Sequence, residues 1–221
     1  MSIDPAIIRG LYAITPEIAD TPRLLNQVQQ AIDGGVTVLQ YRAKTLAPAL
    51  REAQAQALSL LCQRQGVSLI INDDLALARA CNAAGAHLGR DEMALWNKEH
   101  TDSKHPLLVG ISCYDSLELA LDAQRAGASY VAFGSFFPSR TKPHAVRATL
   151  PLLHQARRHL EIPIVAIGGI GLDQVDTLIE AGADAVAVIS ALFETPDISE
   201  TARQFNHHFQ GRHDQFQRPA F

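Results

Sequence analysis

The chain has 221 residues, 47% of them hydrophobic, enough to bury one large core without dividing into two domains. Charged residues make up 19% and the net charge is −4, which argues against general affinity for nucleic acid, so any anion site has to be local. The first ten residues hold acid and proline and no signal-like apolar core, and no apolar run reaches membrane-spanning length.

In chain order, Asp4-Pro5 predicts an N-cap and a proline in the first turn of a short lead helix. Residues 11–15 form a first strand. Leu24, Leu25, Val28, Ala31 and Ile32 then recur at helical spacing up to a Gly34-Gly35 stop. The run 34–44 begins β-branched and apolar and ends in charge. Alternate side chains on a strand share a face, which sends Val36, Val38, Gln40, Arg42 and Lys44 the same way. Two cations at a strand end suit a phosphate or diphosphate as well as they suit a solvated surface. Pro48 opens a helix with Leu50, Ala53, Ala57, Leu60 and Leu61 on one stripe, ending at Gly66. Residues 67–72 are a third strand, 86–89 a short fourth and 107–112 a fifth. Asp115 with Glu118 three residues later reads as a capping box for a helix to Ala126. Strands at 130–134, 162–169 and 185–190 follow, with a helix over 173–181. Ile198, Ala202, Phe205 and Phe209 mark a closing helix, and 210–221 reads as a loose polar tail. Cys62, Cys81 and Cys113 contain no Cys-x-x-Cys pair, so neither a disulfide framework nor zinc is expected, and a reducing cytoplasm is the simplest home.

Asp33-Gly-Gly-Val, Ala84-Gly-Ala-His, Ala126-Gly-Ala-Ser and Ala181-Gly-Ala-Asp each end a helix in glycine and feed a strand, the joint of a repeating β-α unit. Eight strands at this length predict an α/β fold, a single-domain (β/α)8 TIM barrel over residues 1–209. A doubly wound sheet would favour Gly-x-Gly-x-x-Gly after its first strand, where Thr15-Pro16-Glu17 stands.

Barrels place their chemistry at the carboxyl ends of the strands. Asn72-Asp73-Asp74 and Asp91-Glu92 would there face the cations of strand two. Hard oxygen ligands beside phosphate-binding cations suit Mg2+, although an Asn-Asp-Asp run also serves as a helix N-cap. The second acidic cluster favours the metal. The loop 134–143 carries hydroxyls, Arg140 and Lys142 between prolines, as a lid or as plain surface. Gly168-Gly169 with Ile189-Ser190 offers backbone N–H groups to a phosphate, or merely small residues for packing.

Taken in order, Gln40-Tyr-Arg-Ala-Lys44, Ile71-Asn-Asp73, Gly110-Ile-Ser112, Phe137-Pro-Ser-Arg-Thr-Lys142, Ile167-Gly-Gly-Ile170 and Val188-Ile-Ser190 resemble the thiamine phosphate synthase family over residues 11–209. The resemblance implies coupling of 4-amino-2-methyl-5-hydroxymethylpyrimidine diphosphate to a thiazole phosphate (carboxylate), with release of diphosphate by dissociative, Mg2+-assisted substitution. It implies that Gln40, Arg42, Lys44, Asn72, Ser112 and Lys142 bind the pyrimidine diphosphate, with Tyr41 and Ala43 in the same stretch. Ser139, Arg140, Thr141, Gly169, Ile189 and Ser190 would hold the thiazole phosphate, and Asp73 and Glu92 the Mg2+. Arg42, Lys44, Lys142 and Ser112 would carry the catalysis, with no protein nucleophile, so that Cys113 is a packing residue.

Two departures stand out. The family shows Gly-Gln-x-Asp where this chain has Gly89-Arg90-Asp91-Glu92, and Thr where Ser139 stands. Strand alternation would put Asp91 and Glu92 on opposite sides and leave Arg90 on the rim or against an acid. A related thiazole tautomerase would need a histidine near the end of strand five, where Tyr114 stands, and a non-catalytic binder of thiamine intermediates would not need every cation retained. A homodimer is compatible with the sequence, which does not fix the oligomeric state.

Overall fold

A computed structural model describes residues 4–90, 92, 93, 96, 107–138 and 147–210. Strands β1 (Gly10–Ile14), β2 (Val38–Tyr41), β3 (Ser68–Asn72), β4 (Gly85–Leu88), β5 (Leu108–Tyr114), β6 (Tyr130–Gly134), β7 (Ile164–Ile167) and β8 (Ala185–Val188) pair in parallel and in order. The barrel closes because β1 pairs on both sides, Tyr12 opposite Val38 and Leu11 opposite Val186.

Strand parity builds two separate cores. Inward residues such as Tyr12, Val38, Ile70, Leu108, Tyr130, Val165 and Ala185 fill the barrel. Leu39, Ile71, Val109, Val131, Ala166 and Val186 face outward to the helices. These are α1 (Thr21–Asp33), α2 (Pro48–Gln65), α3 (Leu75–Ala80), α4 (Leu117–Arg125), α5 (Leu150–His159), α6 (Val175–Glu180), the single turn α7 (Ser190–Phe193) and α8 (Ile198–His207). Asp20, Asp74 and Asp197 accept backbone N–H groups at three helix starts, and Gly66 ends α2 in the left-handed region. Cys62, Cys81 and Cys113 are free and buried. No described helix is long and apolar enough to cross a membrane.

Several local expectations are corrected. Val36 packs in the outer core with Leu39, opposite to Val38 and Gln40, because it precedes the strand and is not bound by its alternation. Ser116, not Asp115, caps α4; β5 continues to Tyr114, whose φ of 53° turns the chain and moves the helix start on by one. Strand β7 is shorter at both ends than residues 162–169, and β8 stops at Val188 so that Ser190 opens α7. Helix α5, between β6 and β7, was not anticipated. The polar tail lies outside the described residues from 211 onward, whereas Gln210 still bonds back to the His207 carbonyl.

Candidate active site

At the carboxyl end of β2, Gln40 is buried inside the barrel, and its Nε2 donates to the Tyr12 hydroxyl at 2.9 Å. Arg42 and Lys44 follow beyond the strand, and residues of the β1 exit hold their backbone. Thr15 Oγ1 accepts from Arg42 N at 3.0 Å, and the Glu17 carboxylate accepts from Lys44 N at 3.0 Å and from Thr45 N at 2.7 Å. The Thr45 hydroxyl also reaches Glu17. Burial pushes the Glu17 carboxyl up, but hydrogen bonds from Thr45 and from the backbone of Lys44, Thr45 and Leu46 outweigh it and leave the pKa lowered. Tyr41 and Ala43 point the other way. Both pack in the outer core, and the Tyr41 hydroxyl donates to Gln54 on α2 at 2.8 Å, so neither side chain is brought to the mouth.

The adjacent aspartates after β3 divide their work. Asp74 caps α3, accepting from Leu77 N at 2.8 Å, and pairs with Arg51 at 3.0 Å. Asp73 sits at φ 62° with its N–H on the His87 carbonyl at 2.8 Å, and its carboxylate meets Lys44 Nζ at 2.9 Å. The helix-cap reading of the run therefore holds for Asp74, while Asp73 turns its carboxylate to Lys44. Asn72 lies opposite His87 on β4 in the strand register.

After β4 the chain turns into helix at Arg90, so Glu92 is not placed by strand alternation. Glu92 folds its carboxylate back against Gly89, the last residue before that helix. The Arg90 guanidinium lies over the Tyr114 ring at 5.6 Å, which is a rim position. Asp91, Ser139, Arg140, Thr141 and Lys142 lie outside the described residues. Gly169, exposed at φ 68°, and Ile189-Ser190 at the start of α7 lie at the ends of β7 and β8.

Sequence reasoning missed the floor of this mouth. Gln40, Tyr12, Tyr130, His87 and Ser112 form an unbroken row of hydrogen bonds inside the barrel. The signal was inward parity: His87 on β4 and the two tyrosines each fall on the barrel-facing side of a strand. Gly110 makes room, since its missing side chain leaves the space that the Tyr130 ring occupies. A cleft of about 1120 Å³ opens at the other end of the barrel beside Gly10, Thr37 and Asn206, away from these groups.

Gly169 offers a stability prediction. A Cβ there would run into the Pro138 carbonyl oxygen, whereas Gly66, at nearly the same φ of 69°, has nothing within 4 Å. Gly66→Ala is expected to cost roughly 1–2 kcal/mol from its φ alone, and Gly169→Ala clearly more. Urea unfolding of the two variants reads the difference, and equal losses would mean that the loop after β6 does not press on Gly169.

The family model for thiamine monophosphate synthase matches residues 11–192. The thiamine-phosphate synthase of Thiobacillus denitrificans is 52% identical over 201 residues, covering 90% of this chain and 94% of the relative. That of Thioalkalivibrio sulfidiphilus is 48% identical over 198 residues, covering 89% and 93%. The structure of a thiamine phosphate pyrophosphorylase from Pyrococcus furiosus superposes with a TM-score of 0.77 at 29% identity, covering 92% of this chain and 96% of that one. With the barrel, the ordered strand-end motifs and these relatives in agreement, the chain belongs to the thiamine monophosphate synthase family and is a transferase of thiamine biosynthesis.

Proposed function

We propose that this chain joins hydroxymethylpyrimidine diphosphate to thiazole phosphate or its carboxylate, with the diphosphate at the β2–β3 mouth and the thiazole phosphate at the β7–β8 loops. The observation that carries the reading is the meeting of Lys44 with Asp73 beside Arg42, above a floor ended by Gln40 and Ser112. A cation already paired with a carboxylate at 2.9 Å marks a place where anionic oxygens and a hard cation can share ligands.

The donor set fits Mg2+. Among the described residues no three His, Cys, Asp or Glu side chains gather into a site. Mg2+ needs only one or two carboxylates, with water and phosphate oxygens completing its shell. Asp73 and Glu92 would hold it, and when bound it would neutralise charge on the diphosphate. In the proposed reaction the methylene C–O bond breaks and its electron pair leaves with the diphosphate. The aminopyrimidine spreads the positive charge, and the thiazole nitrogen then supplies the pair for the new C–N bond. Lys44 and Arg42 stabilise the departing anion from fixed positions, and Gln40 and Ser112 hold the pyrimidine in line. No side chain acts as nucleophile. Cys113, next to Ser112, is fully buried in the outer core, and burial pushes its thiol up to about 12.

Mixing the purified protein with both substrates and Mg2+ should yield thiamine phosphate and diphosphate, and absence of product would overturn the reading. Chelation should abolish coupling while calorimetric binding of thiazole phosphate survives, because the two anions use different groups. Loss of both together would mean that one site, not two, is at work.

A further inference from the structure

The floor row joins groups on β2, β1, β6, β4 and β5. Gln40 Nε2 lies 2.9 Å from the Tyr12 hydroxyl, which lies 2.7 Å from the Tyr130 hydroxyl. Tyr130 in turn lies 3.2 Å from His87 Nδ1, and His87 Nε2 lies 2.9 Å from Ser112 Oγ. Gln40, Tyr12, Tyr130 and His87 are all buried, and only Ser112 reaches a partly exposed position at the mouth.

We propose that this row sets the hydrogen-bond polarity of the pyrimidine site, fixing Gln40 as an acceptor and Ser112 as a donor, so that Tyr12, Tyr130 and His87 are specificity-determining positioning residues. The inference rests on the functional reading above. It follows from counting protons. Gln40 Nε2 can only donate, so the Tyr12 oxygen accepts, and the one Tyr12 proton goes to Tyr130. The Tyr130 proton then goes to His87 Nδ1. A neutral imidazole keeps its proton on Nε2 and gives it to Ser112, whose own hydroxyl proton is left for a ligand. The His87 ring is buried, with both of its nitrogens at hydrogen-bond distance from neutral hydroxyls, Tyr130 and Ser112.

Only one other arrangement satisfies every group, and it reverses all of them together. Turning the Gln40 amide would make Tyr12 a donor to Gln40, Tyr130 a donor to Tyr12, and so on to a Ser112 that donates inward. The ends are therefore coupled: acceptor at Gln40 goes with donor at Ser112, and the reverse with the reverse. The structure has the Gln40 amide with Nε2 on the Tyr12 hydroxyl, which is the first of the two arrangements. An aminopyrimidine presents an amino donor beside a ring-nitrogen acceptor, which complements that pair. The 4-oxo analogue presents a carbonyl beside an N–H, the opposite pattern, and would have to reverse the whole row or leave buried groups unpaired.

The test is calorimetric binding of the amino- and oxo-pyrimidine diphosphates, without thiazole, to the wild type, Tyr130→Phe and Tyr12→Phe. The wild type is expected to prefer the amino compound at least 100-fold. Either variant, with the row cut and its ends free to turn separately, should lose at least tenfold of that preference, and the double variant little more. Thiazole phosphate binding should be unchanged in all of them. A wild type that binds both compounds within tenfold overturns the proposal whatever the variants do. So does a phenylalanine variant that is less stable but equally selective, which would make the hydroxyls packing groups only. Failure of the wild type to form thiamine phosphate would instead sink the functional reading.

Discussion

Lys44→Ala is expected to lower kcat roughly 100- to 1000-fold at saturating substrates and Mg2+, the usual cost of losing one preorganised donor to a developing anion. The lysine is half-exposed, and its pair with Asp73 adds little to stability in such a setting. Its value lies in placement. The backbone of Lys44 and Thr45 is pinned by Glu17, so the cation starts from a fixed base when charge moves onto the leaving diphosphate. The loss should therefore fall on kcat and leave the KM for thiazole phosphate within a few-fold. Arginine is a poor replacement, because its planar fork cannot take the place of a compact ammonium between a carboxylate and a phosphate. Steady-state kinetics with each substrate varied in turn decides the matter. An unchanged kcat would remove Lys44 from the chemistry and leave it as a partner of Asp73 alone.

The second large effect is acid sensitivity of the fold, traced to His87. Burial lowers its pKa from 6.5 to about 4, while the negative charge of Asp73 opposes that shift. Between those values the unfolded chain binds the proton that the folded chain refuses, so stability rises with pH across this window. The contribution is complete above about pH 6.5 and is lost as pH falls towards 4. The shift corresponds to roughly 3 kcal/mol. His87→Gln, which cannot titrate, should lower stability at pH 7 yet lose less of it on acidification. Urea unfolding at intervals from pH 7 to pH 4 would show the two stability curves converging. Curves that stay parallel would assign the acid sensitivity to carboxylates common to both proteins.

The barrel was legible because apolar runs with polar exits recur along the chain and four of them follow a helix that ends in glycine. Most boundary errors come from the same source. Val36 lies before the ladder of β2, and Ser190 lies beyond that of β8, so parity carried into either position has no sheet to enforce it. Asp73 and Asp74 were legible as types but not as roles, since the division depends on a positive φ that no side-chain pattern announces. The floor row was invisible for another reason. Tyr12 and Tyr130 are 118 residues apart, and nothing local in either strand says that their hydroxyls meet across the axis. Glu17 is the same case over 27 residues: a turn residue by sequence, a brace for the Lys44 backbone by structure.

That brace reaches further than the cation it holds. Gln54 of α2 donates to the Ile18 carbonyl at 2.9 Å and to the Thr21 hydroxyl at 3.1 Å, so the segment carrying Glu17 is itself moored to a helix. The exits of β1 and β2 and the flank of α2 thus move as one body. In the proposed site a diphosphate would meet a rim already set during folding, and its affinity would not be eroded by the entropy of ordering a loop. The reverse also holds: a length change between β1 and α1 is expected to slacken the anchor and surface as weaker diphosphate affinity, read by calorimetric titration.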